Sequence, residues 1–130
     1  MTDSTIPPSI WCVDLDGTIS NGATLFRQLM TGLHAQGAHV IILTGVSESN
    51  ITNDIMEEKK TLLNALELRK GIDYDQLVIV SGPQKKVAEH KVNYMRHVGA
   101  SALIDNDKRN IKAAKKAGFF AFKYSFPKLL

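Results

Sequence analysis

Five short apolar runs, Ile10 to Val13, His39 to Leu43, Leu77 to Val80, Ala102 to Ile104 and Phe119 to Phe122, are spaced along the chain with helical patterns between them. That alternation constrains the fold more than any other feature. The runs are continuous rather than alternating in polarity, which is the pattern of strands covered on both faces. Between them, Leu25, Phe26, Leu29, Met30 and Leu33 fall on one face of a helix that Gly37 closes. A second helix is expected over Ser47 to Lys70, with Gly71 after it. A third should cover Gln84 to Val98 before Gly99, and a fourth Lys108 to Ala117 before Gly118. The order β-α-β-α-β-α-β-α-β predicts a three-layer α/β fold with a five-stranded parallel sheet and right-handed crossovers. The expected strand order is 3-2-1-4-5.

At 130 residues the chain has room for one domain, expected over residues 9–130, preceded by a loose polar segment, 1–8. With 44% hydrophobic and 22% charged residues it can bury a core and is not a disordered chain. The net charge of +3 is too small for a dedicated nucleic-acid binder. One cysteine, Cys12, excludes an internal disulfide framework and an all-cysteine zinc site. No run approaches the ~18 apolar residues of a membrane span. The polar start, with Pro7 and Pro8, lacks the apolar stretch of a signal peptide. A soluble, cytoplasmic protein is the expectation, with self-association left open.

In an open α/β sheet, ligands bind beyond the carboxyl ends of the strands, at the point where strand order reverses. The first run is followed by Asp14-Leu15-Asp16-Gly17-Thr18. Two carboxylates leaving a buried strand repel each other and lose hydration unless a cation or a phosphate site compensates. Gly17 permits a sharp turn and a close backbone approach. The second run ends in Thr44-Gly45, a hydroxyl and free N–H groups suited to an anion. After the fourth comes Asp105-Asn106-Asp107, of which Asp107 is expected to cap the following helix.

These strings, in this order, resemble the signatures of the haloacid dehalogenase superfamily of aspartate-nucleophile phosphohydrolases, from Ile10 to Phe122. The resemblance implies a magnesium-dependent phosphatase acting on phosphomonoesters through an aspartyl-phosphate. Asp14 would be the nucleophile and Asp16 the general acid and base. Magnesium would take the carboxylates of Asp14 and Asp105 and the backbone carbonyl of Asp16, with Asn106 behind them. Leu15, Gly17, Thr44, Gly45 and a lysine would hold the phosphate. Lys91 stands far enough before Asp105 for a short helix, a turn and a strand; Lys86 and Lys85 are the alternatives. Asn106 departs from the usual acidic pair and predicts weaker metal affinity. The gaps after Asp14 and after Thr44 are filled by expected elements, so the implied enzyme has no cap domain.

A small phosphorylated metabolite, a nucleotide or a nucleic-acid end would fit as substrate. A two-metal nuclease would need further acids after the second and third strands, where Thr44 and Ser81-Gly82 stand instead. A non-catalytic phosphate- or nucleic-acid-binding relative is the remaining alternative. Arg109 and Asn110 lie close enough to the acidic loop to touch a ligand. His34, His39, His90 and His97 show no metal-ligand spacing, Trp11 and Cys12 read as core, and Glu57-Glu58-Lys59-Lys60 and the lysines of the last helix read as solvated faces.

Overall fold

The computed structural model describes residues 8–125. Apart from residue 8, the expected loose segment 1–8 lies outside the described residues. The strands are β1 (Ile10–Val13), β2 (His39–Ser47), β3 (Gln76–Gly82), β4 (Ala102–Asp105) and β5 (Phe120–Lys123). Between them come α1 (Ala23–Ala35), α2 (Ile55–Ala65), α3 (Val87–Val98) and α4 (Lys108–Lys116). All strand pairings are parallel, as the alternation predicts, and the strand order is the expected β3-β2-β1-β4-β5.

Alternate residues of each strand feed two cores on opposite faces of the sheet. Val13, Val40, Ile42 and Ile104 pack against Phe26 and Met30 of α1 and Leu63 of α2. Cys12, Ile41, Leu43, Leu103 and Ala121 pack against Val92 and Met95 of α3 and Ile111 and Ala114 of α4. Each such side chain, fully buried, contributes about 1.5–3 kcal/mol of transfer free energy. Cys12 is buried as expected, whereas Trp11 is half-buried and stacks on Phe122 with ring centroids 6.0 Å apart. Helices α1 and α2 leave the β4–β5 part of their face open, so Phe120 and Phe122 of the edge strand are 73% and 50% exposed.

Two boundaries depart from the sequence expectation. Strand β2 runs on through Thr44, Gly45, Val46 and Ser47 because β3 pairs with it as far as Gly82. The expected helix over Ser47 to Lys70 is therefore shortened to Ile55–Ala65. Its far end stops at Ala65, two residues before Glu67, which takes a left-handed φ of 62°. The connector beyond is tied down by Asp73, whose fully buried carboxylate accepts bonds from the Arg69 backbone N–H (2.8 Å), the Arg69 side chain and the Thr31 hydroxyl of α1. Burial works against that charge, but the bonds from Arg69 and Thr31 prevail and hold the Asp73 carboxyl below the ordinary value of 3.8.

Candidate functional site

Strand β1 delivers Asp14 to the carboxyl edge of the sheet. Its backbone N–H donates to the Ile104 carbonyl (2.9 Å), so the residue is still held by β4 when its side chain clears the strand end. The chain then turns. Leu15 goes inward and is fully buried. Gly17 takes a φ of +82°, its N–H donates to Ser20 Oγ (2.9 Å), and a side chain there would collide with Asn106. Thr18, buried, donates its hydroxyl to Asp14 Oδ2 at 3.1 Å. With its amide nitrogen directed at the loop, Asn106 donates to Asp14 Oδ2 (3.0 Å), Thr18 Oγ1 (3.2 Å) and the Asp16 carbonyl (3.3 Å). Asn106 thus ties the β4 loop to the β1 loop.

Lys91, on the inner face of α3, lies between Asp14 and Asp105. It is 1% exposed, and its ammonium stands 2.8 Å from Asp14 Oδ1 and 2.7 Å from Asp105 Oδ2. Asp105 also accepts from Asn110 Nδ2 (3.0 Å) and, on its other oxygen, from the Asp107 N–H (2.9 Å). Burial pushes the Asp14 carboxyl up to about 6. The Lys91 ammonium opposes that and the Asp105 charge adds to it. Burial also pulls the Lys91 value down, but the two carboxylates outweigh it and hold the ammonium above its ordinary 10.5.

Asp16 is half exposed and takes a separate pair of partners. Its Oδ2 accepts from the Thr44 hydroxyl at 3.1 Å and from Lys59 of α2 at 2.7 Å. Asp107 caps α4 as expected, accepting from the Arg109 N–H at 2.8 Å, and its carboxylate also holds the Arg109 guanidinium at 2.7 Å. A cleft of about 220 Å³ lies at the carboxyl edge, with Asp14, Asp16, Gly45, Lys91 and Asp105 in its lining and Lys85 and Arg109 among the flanking cations. Gly45 lets α3 pack close on the end of β2: a Cβ there would stand 2.3 Å from Val87 Cγ1.

The expected residues are thus brought together, with two qualifications. Leu15 and Gly17 are spent on the core and the turn, the Gly17 N–H being taken by Ser20. Of the three candidate lysines, Lys91 is the buried one; Lys86 pairs with Glu89 at 3.5 Å on the surface and Lys85 lines the cleft. Lys59 was legible only as part of a solvated face, and no spacing rule links α2 to the β1 loop. Asn110, buried on Asp105, could be picked out only by its nearness to the acidic loop.

The fold and cleft define an open, doubly wound α/β protein with a polar site where the strand order turns from β2 to β4 across β1. No protein-family model matches the chain, and no curated relative matches it. Solved structures do. A universal stress protein family member from Burkholderia pseudomallei is 22% identical with a TM-score of 0.56, over 89% of this chain and 95% of that one. A universal stress protein in complex with cAMP is 15% identical with a TM-score of 0.57, over 94% and 100%. The core domain of a putative phosphoglycolate phosphatase from Streptococcus pneumoniae TIGR4 is 17% identical with a TM-score of 0.54, over 89% and 79%. At these identities the likeness establishes the fold alone.

The neighbours correct the functional expectation. They are mainly universal stress proteins, with the phosphatase core domain standing among them at 17% identity. The haloacid dehalogenase membership, the phosphomonoesterase activity, the enzyme class and the aspartyl-phosphate are not upheld. The physical reason lies in the cations. Paired carboxylates at a strand end need compensation, and this chain supplies much of it from its own helices, one Lys91 shared by Asp14 and Asp105 and Lys59 on Asp16. A strand ending in Asp-Leu-Asp-Gly-Thr is therefore accounted for without a phosphoryl-transfer role. As to the membrane, among the described residues no helix is long and apolar enough to cross one.

Proposed function

We propose that this chain binds a small phosphorylated ligand, a nucleotide, in the cleft at the carboxyl edge of β1, β2 and β4. The observation that carries the reading is the convergence on one cleft of a buried Lys91 and the flanking cations Lys85 and Arg109, with Gly45 in the lining. Phosphate recognition needs such fixed positive charge. A nucleotide is favoured over other phosphates by the neighbour of the same fold that holds cAMP.

Magnesium fits the donor set. Asp14 and Asp105 carry one negative charge more than Lys91 neutralises, and a phosphate entering beside them would be repelled unless a cation came with it. The donors are hard oxygens, suited to magnesium. Among the described residues no three His, Cys, Asp or Glu side chains are grouped to hold a metal by themselves. The ion would therefore share its coordination between the two carboxylates, the Asp16 carbonyl and the ligand's phosphate oxygens, with Asn106 steadying Asp14. It would supply charge neutralisation for the bound phosphate.

Calorimetric titration with AMP, with and without magnesium, tests the reading. Saturable, magnesium-strengthened binding is expected, weakened several-fold by Arg109→Ala or Lys85→Ala. Absence of binding at millimolar AMP in the presence of magnesium refutes it, as does binding that both rim variants leave unchanged.

A further inference from the structure

Lys59 belongs to a surface helix, yet its side chain is only 16% exposed and its ammonium meets Asp16 Oδ2 at 2.7 Å. The same oxygen accepts the hydroxyl of Thr44, which is fully buried at the end of the β2 core. An ammonium and a buried hydroxyl converging on one oxygen make a seat for an anion. The carboxylate that fills this seat comes from the turn beside the cleft, and it is half exposed, so rotation about its own side-chain bonds would take it out into solvent. Asp16 also faces the cleft assigned above to the phosphorylated ligand.

We infer that Lys59 and Thr44 form a seat for a phosphate oxygen of the ligand, and that Asp16 fills it when the ligand is absent. The chain carries its own competing anion. This rests on the cleft reading and deepens it: the ligand does not enter an empty site but displaces a carboxylate, and its apparent affinity is lowered by the fraction of time the carboxylate is seated. Lys59, outside the present cleft lining, is then a ligand-binding residue contributed by α2 behind Asp16.

The test is a double-mutant cycle on binding of AMP and of inorganic phosphate, each with magnesium, measured by calorimetry on the full chain with folding checked by thermal melts. Asp16→Ala removes the competitor and should tighten both ligands about three- to five-fold, the scale of a partly exposed ion pair. Lys59→Met should weaken both by about ten-fold and flatten their salt dependence, while Lys59→Arg retains most of the affinity. The decisive measurement is the combination: on the Lys59→Met background, Asp16→Ala should gain nothing. A gain of equal size with and without Lys59 would mean that Asp16 acts only through its general negative charge, and overturns the seat. So does weaker binding in Asp16→Ala, which would make Asp16 a partner of the ligand. If the unmodified chain binds neither AMP nor phosphate, the cleft reading itself fails and the seat falls with it. If it binds and all variants match it, the seat alone is wrong.

Discussion

Replacing Lys91 by Met tests what holds the cleft together. The substitution keeps most of the stem that packs inside the fold and removes only the ammonium, which makes contacts of 2.8 Å and 2.7 Å to Asp14 and Asp105 at 1% exposure. Each charge-assisted bond contributes about 1.5–3 kcal/mol. Part of that is returned because a buried ammonium no longer has to be desolvated, which leaves a loss of about 3–5 kcal/mol, the range for breaking a buried pair. The loss should depend on pH in a definite direction. The Asp14 carboxyl already stands at about 6 in the folded chain against an ordinary 3.8. The folded state therefore holds that proton more tightly than the unfolded state, and the cost of ionising Asp14 comes in as pH rises through this window and is complete at neutrality. Lys91 opposes the rise, so without it the cost is larger and extends to higher pH. Urea unfolding in the presence of a chelator, at about pH 7.5 and about pH 5, reads both effects. The variant should regain more stability on acidification than the parent, and adding Asp14→Asn should recover about half the neutral-pH loss. A loss below about 1 kcal/mol, or one that is equal at the two pH values, would refute the reasoning.

Gly45→Ala should cost about 1–3 kcal/mol of stability in chemical denaturation and sharply weaken AMP binding, since its Cβ would stand 2.3 Å from Val87 and 3.3 Å from Lys91 Cε. Asp73→Asn should lose about 2–3 kcal/mol at neutral pH. Because the native carboxyl is held below 3.8, that stability is present above the ordinary carboxylate range and fades as pH falls through the native value, so parent and variant melting curves should converge in acid. Cys12, fully buried and pushed up to about 12 by that burial, should resist iodoacetamide at mildly alkaline pH and react promptly in denaturant; ready alkylation of the native chain would mean that β1 opens.

The sheet was legible because its evidence is local: continuous apolar runs, helical spacing between them, and glycines after the helices. A lysine on the third helix enters only through the family resemblance; the spacing to Asp105 suits Lys91 but leaves Lys86 and Lys85 open, and burial between Asp14 and Asp105 singles out Lys91. What could not be read was set by partners distant in the chain. The extension of β2 through Ser47 depends on β3 pairing with it, and nothing in Thr44-Gly45-Val46-Ser47 alone distinguishes a strand from the start of a helix. Lys59 reads as one charge in a solvated run until α2 is set beside the β1 loop. The functional expectation failed differently. The acidic strand ends need compensation, but the sequence does not say whether a bound ion or the chain's own lysines provide it, and the string Asp14-Leu15-Asp16-Gly17-Thr18 resembles the same family signature in either case.

The placement of α3 divides the labour of the molecule unevenly. Residues from Ile10 to Gly82 build β1, β2 and β3 and roof one side of them with α1 and α2; the other side waits for α3, whose Val92 and Met95 meet Ile41 and Leu43. The remainder of the chain lends that helix across and receives none in return, which is why Phe120 and Phe122 stay bare. Cut between Gly82 and Val87, the chain would give two fragments with a lender and a debtor, each exposing apolar surface that only the other can cover. The pieces should associate through α3, and the Lys91 contact to Asp14 would be the seal that shows they have closed in register.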